Sequence, residues 1–186
     1  MGYSIAWILV RGKTKEDILA QLGLADAAAP DDFVGNQVAV AALPEGAYLL
    51  CFSDMAHPAT QASSMARVSK GCEALGCQAE DNVMASAAFF YKDGAKVWDV
   101  VHLADQGLYH LEVNGTPPPL LDTIHTAMKT AQDEEGGVEA QVDWLFEVPL
   151  MLANALAGYR HDEGLLSREA LVFTALAPVA AGGSRH

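Results

Sequence analysis

Tyr159-Arg160-His161-Asp162-Glu163 gathers a phenol, a guanidinium, an imidazole and two carboxylates into one unbroken run directly after Gly158. Such a set can hold an anionic group on Arg160 and exchange a proton at His161 while Asp162 orients the imidazole. The same residues can instead satisfy bare carbonyls at a helix C-terminus, because sequence neighbours project apart and acid–base partners are usually assembled by the fold. A second pair, His102 and His110, falls on two β-rich runs joined by a turn at Asp105-Gln106-Gly107. A three-residue turn sets the two imidazoles opposite one another, within reach of one metal ion or one shared proton, and a two-residue loop offsets them. Zinc needs a third ligand, and no His-x-His or Glu-x-x-His spacing supplies one nearby, so neither a metal nor another cofactor is expected. The candidate ligand-binding residues are therefore His102, His110, Tyr159, Arg160, His161 and Asp162. Spacing alone assigns no catalytic residue.

Other reactive residues lack the pattern their chemistry requires. Cys72 and Cys77 are spaced more widely than Cys-x-x-Cys and flank Gly76, which reads as a helix end, so they are expected to be buried thiols. Ser63 and Ser64 lack the Gly-x-Ser-x-Gly elbow of a serine hydrolase. Gly12-Lys13-Thr14 ends like a phosphate-binding loop, but Trp7 stands where that loop needs its first glycine. Asp54 and His57 lie between a strand and a helix, a place for an active-site loop or for a helix cap. Trp7, Trp98 and Trp144 read as core or interface anchors before they read as pocket walls.

Composition narrows the function classes. With 186 residues, 51% of them apolar and 19% charged, the chain has the make-up of one packed globule. We expect one domain over 1–178 and a loose tail over 179–186. A net charge of −13 and a pI near 4.6 disfavour nucleic acid and anionic lipid as partners. The apolar runs at 38–43 and 83–90 fall well short of the roughly 20 residues a membrane span needs. The start has neither a secretory pattern nor a myristoylation pattern, and an odd count of three cysteines suits a reducing compartment, so the cytosol is the expected location.

Elements that would position these residues follow from periodicity. The alternation over 3–10 predicts a strand, Thr14 caps a helix that Gly23 stops, and 25–36 reads as a loop. Strands over 37–42 and 47–52 flank Pro44-Glu45-Gly46. Apolar residues at three- and four-residue spacing predict a helix over 58–75. Asp93-Gly94 and the turn at 105–107 divide 83–113 into a three-stranded antiparallel meander. Pairing Lys92 with Ala95 sets Phe89 opposite Trp98, Ala87 opposite Val100 and Ala85 opposite His102, with Phe90 opposite Val97, Ala88 opposite Asp99 and Ser86 opposite Val101 on the other face. Both faces are apolar and demand cover from helices or from a second subunit. Helices over about 119–134 and 149–158 and a last strand over 170–176 complete an α+β fold, an antiparallel sheet with helices packed on it.

These readings lead to two expectations. The first is a non-catalytic, cytosolic interaction or binding protein that self-associates, as a dimer, through its two-faced sheet. Its acidic surface suits a basic protein partner, as in an immunity-type inhibitor of a toxin. The alternative is a small enzyme or ligand-binding protein using the His/Arg/Asp cluster near 102–110 and 158–163. At least three of the candidate side chains around one open pocket would favour the second.

Overall fold

The structure is a computed structural model and describes residues 2–27, 38–165 and 170–179. In chain order the elements are β1 (Ser4–Arg11), α1 (Lys15–Leu22), β2 (Leu24–Asp26), β3 (Val38–Leu43), β4 (Ala47–Phe52), α2 (Ala62–Val68), β5 (Glu73–Glu80) and β6 (Ala85–Lys92). They continue with β7 (Ala95–Leu103), β8 (Glu112–Gly115), α3 (Leu120–Glu134), α4 (Glu147–Ala157), β9 (Tyr159–Arg160), β10 (Gly164–Leu165) and β11 (Phe173–Pro178). Nine strands form one sheet in the order β2-β11-β3-β4-β1-β5-β6-β7-β8, and β9 and β10 form a separate ribbon. Each recorded pairing is antiparallel, so the fold is α+β. Among the described residues no helix is long and apolar enough to cross a membrane.

Local chemistry places the simpler elements. Thr14 Oγ1 accepts the Asp17 amide at 3.2 Å and starts α1, and Gly23, at φ 69, ends it in the left-handed region. Asp93 and Gly94 sit at φ 51 and 84, the two consecutive positive values that a tight hairpin turn between right-twisting strands requires.

The expected helix over 58–75 is corrected. The chain is helical only at Pro58–Thr60 and in α2, and 73–80 is β5, which pairs with β1 and β6 near the middle of the sheet. A strand buried on both faces presents a continuous apolar run, and that run also satisfies helical spacing. Gly76 is accordingly no helix stop. The Phe89 ring lies over it, and a Cβ there would stand 2.0 Å from Phe89 Cε2. Cys72 and Cys77 do not straddle a helix end; they join opposite cores on the two sides of the sheet. The loop expected at 25–36 is partly corrected too, since Ala25 and Asp26 belong to β2, while 28–36 and the tail at 180–186 lie outside the described residues.

The meander exists as β6, β7 and β8, with a different register. Lys92 pairs with Ala95 as expected, but a bulge leaves Val97 without a partner. Phe90 therefore faces Trp98, Ala88 faces Val100, and Ser86 faces His102. One extra residue on β7 exchanges the face of β6 that each β7 side chain meets. Helices of the same chain cover both faces of β6 and of the second half of β7, while β8 is exposed along its length. Leu121 on α3, Val148 and Leu152 on α4 and the preceding Leu145 pack with Trp7, Leu49, Leu75, Trp98 and Val100. On the other side Ile18 and Leu19 of α1 and Met65 and Val68 of α2 pack with Ile8, Leu50, Phe52, Phe89 and Tyr91. Over β6 and the second half of β7 neither face then needs a second subunit to cover it.

Candidate functional site

The chain between α3 and α4 is wired to α3 by one polar side chain, Gln132, and to the sheet by two contacts, from Ser86 and Asp143. Gln132, wholly buried, donates to the carbonyls of Gly137 at 2.9 Å and Val142 at 3.1 Å and accepts the Trp144 amide at 2.9 Å. Ser86 donates to the Phe146 carbonyl at 2.7 Å. Asp143 Oδ1 accepts the Phe146 amide at 3.2 Å, and its Oδ2 lies 2.8 Å from His102 Nε2. The His102 ring is wholly buried, and its Nδ1 lies 2.7 Å from the His110 carbonyl. A carbonyl only accepts, so Nδ1 carries a hydrogen; the contact with Asp143 then holds one further proton between imidazole and carboxyl.

By residue type, Ser86, His102 and Asp143 compose a nucleophile, a base and an orienting acid. Their geometry denies them that chemistry. Both ring nitrogens of His102 are engaged elsewhere, so neither is free to take the Ser86 proton, and Ser86 and His102 are both fully buried. His102 and His110 are indeed brought together, with ring centroids 6.1 Å apart. His110 lies in the turn ahead of β8, and its Nδ1 accepts the Leu103 amide at 3.0 Å. The pair staples the β7–β8 turn and does not open onto a common ligand.

The 159–163 run divides in space: Tyr159 turns into the core, while Arg160 stays with Asp162 at 2.6 Å and Glu163 at 4.0 Å. Gly158, at φ 72, turns the chain out of α4 and into β9. Tyr159 points into the core, its ring edge-on to Trp7 at 5.5 Å and its hydroxyl 3.5 Å from Cys51 Sγ; burial pushes the phenol far up, so it stays protonated. Arg160 grips Glu147 with two nitrogens at 2.7 and 3.2 Å and Asp162 with Nε at 2.6 Å. Burial opposes the charge of Arg160, but the hydrogen bonds to Glu147 and Asp162 outweigh it and hold the guanidinium firmly protonated. For Asp162, burial works upward and the Arg160 hydrogen bond downward, with a net lowering. His161 packs 4.7 Å from the Tyr3 ring, and its Nε2 is buried with no hydrogen-bond partner among the described residues; burial lowers its pKa and keeps it neutral.

Beside this cluster lies an open cleft of about 470 Å³ between the start of β1, the β5–β6 connection and the N-terminal ends of α4 and β9. Its apolar wall is Tyr3, Met84, Met128, Met151, Trp144 and Phe146, and its charged rim is Asp81, Asp143, Glu147, Glu163 and Arg160. The Trp144 Nε1 is buried with no acceptor among the described residues. Burial first, then the charges of Asp162 and Glu147, push the Tyr3 hydroxyl up to about 12. Of the six candidates named from sequence, only Arg160 borders this cleft. The methionines, Tyr3 and Trp144 carry no shared spacing, since they come from separate elements. Only the acidic composition hinted at the rim.

Among the described residues no group of three or more His, Cys, Asp or Glu side chains is placed to hold a metal ion. No family model, no curated protein and no solved structure matches the chain, so its functional reading rests on this geometry.

Proposed function

We propose that this is a non-catalytic binding protein, an acidic partner whose methionine-lined cleft receives a basic segment of another protein with one apolar side. The observation that carries the reading is the pairing, in one cleft, of Met84, Met128 and Met151 with the carboxylates of Asp81 and Glu163. Methionine side chains are unbranched and polarizable and adapt to irregular apolar groups. Arg160 divides its charge among Glu147, Asp162 and, at 4.0 Å, Glu163, so the rim acids outnumber it, and the net charge of −13 attracts a basic partner from a distance. Three buried, unpaired cysteines support a reducing location such as the cytosol.

The test uses the full chain with ¹³C-methyl methionine and a short peptide alternating leucine and lysine. Saturable shifts at Met84, Met128 and Met151 are expected, with Asp81→Asn and Glu163→Gln each weakening binding about two- to fivefold. A leucine–glutamate peptide should leave the methyls unmoved, and oligolysine, which lacks apolar groups, should bind without shifting them. Equal response to the acidic and basic peptides, or shifts spread evenly over the molecule, would sink the proposal.

A further inference from the structure

A second pocket lies toward the other end of α4, its Leu156 five residues, about 7.5 Å along the helix, beyond Met151 of the cleft just described. It encloses about 410 Å³, inside the roughly 300 to 1,000 Å³ typical of small-molecule sites. Its floor is the stacked pair Phe90 and Trp98, centroids 6.0 Å apart and planes 22° apart, with Leu75 beside them and Leu156 of α4 and Pro118 as walls. The β7 bulge produces this floor, since the register read from sequence alone would have set Val97 opposite Phe90.

Arg11, at the end of β1, forms the polar end of the pocket. Its Nη2 donates to the Leu156 carbonyl at 3.2 Å, and among the described residues no carboxylate lies within 4.0 Å of it. Glu73, its cross-strand neighbour, also lines the pocket, but that carboxylate is neutralised by Lys92 at 2.8 Å. The guanidinium is thus tethered at one nitrogen and unmatched in charge, in a chain with 24 acidic and 11 basic residues. Thr116 and Pro118 lead into α3, so the positive end of that helix dipole also lies at the pocket wall.

We infer that this pocket binds a small aromatic carboxylate, its ring on Phe90 and Trp98 and its carboxylate on the Arg11 fork. Planar apolar groups match the stacked floor, and a guanidinium presents two parallel donors with the spacing of a carboxylate. The acidic surface elsewhere repels such an anion and confines it to this site.

The experiment compares 2-naphthoate with its neutral isostere 2-naphthamide on the full ¹⁵N-labelled chain. Naphthoate is expected to bind saturably, shifting the Trp98 indole N–H and the Arg11 Nε–H, and to bind about tenfold or more tightly than naphthamide. Arg11→Met should bring the two affinities together, and Trp98→Leu should weaken both. Three results overturn the inference: equal affinity of the two probes for the native chain, no binding up to millimolar probe, or shifts clustered at Tyr3, Met84 and Met128. The comparison on the native chain decides the matter even if Arg11→Met does not fold.

Discussion

Replacing His102 with alanine should cost more stability than any surface substitution, because it takes the hydrogen-bond partner from two buried groups, the His110 carbonyl and the Asp143 carboxyl, at once. His102 has no exposed surface and the Asp143 side chain is only 5% exposed, so water does not replace what is lost. Leaving a buried polar group without its hydrogen-bond partner costs about 1 to 3 kcal/mol, against a typical domain stability of about 5 to 15 kcal/mol. The His110 carbonyl loses its donor too, which places His102→Ala toward the upper part of that range. Asp143→Leu should cost a comparable amount, since it also releases the Phe146 amide at the start of α4. The two losses overlap, so the double variant His102→Ala/Asp143→Leu should fall short of their sum by about 2 kcal/mol or more. Urea denaturation followed by tryptophan fluorescence measures all four corners of the cycle. A cost below about 1 kcal/mol for either single variant, or strict additivity, would refute the view that this pair fastens α4 to the sheet.

Three further outcomes follow from the same packing. Gly76→Ala adds a methyl 2.0 Å from the buried Phe89 ring, so a loss of about 1 to 3 kcal/mol is expected in thermal melts, with Phe89→Leu recovering part of it in the alanine background. His57 and His161 are both held below the ordinary imidazole value of 6.5 by burial, so the unfolded chain binds protons that the native one refuses. Their contribution is therefore full above pH 6.5 and is lost as pH falls through the lowered native values; unfolding free energy should decline below pH 6.5, with a shallower slope in His161→Gln. Burial pushes the Cys51 thiol up to about 12 and the Cys77 thiol higher still, so iodoacetamide should label neither in the native protein and all three cysteines in urea; native labelling at Cys77 would contradict the two-faced core.

Where the physics is local, the sequence determined the structure by itself. Thr14 and Gly23 bound α1, the strand at 47–52 was legible to the residue, and Asp93-Gly94 makes a tight turn, because caps, alternation and positive φ each depend on a few adjacent residues. The apolar front and back of the meander also predicted cover on both sides, which four helices of the same chain supply over β6 and the second half of β7 but not over the exposed β8. Tertiary structure alone decided the rest. Whether 73–75 ended a helix or opened a strand of the sheet turned on β1 and β6 being there to pair with it, since buried strands and buried helices share their apolar spacing. The bulge at Val97 reset which side chains meet, and a slip of one residue is invisible to composition. Likewise His102 meets Asp143, 41 residues away, and Arg160 meets Glu147, 13 residues away, besides its neighbour Asp162, because a buried polar group pairs with whatever the packed chain brings within about 3 Å, near or far in sequence.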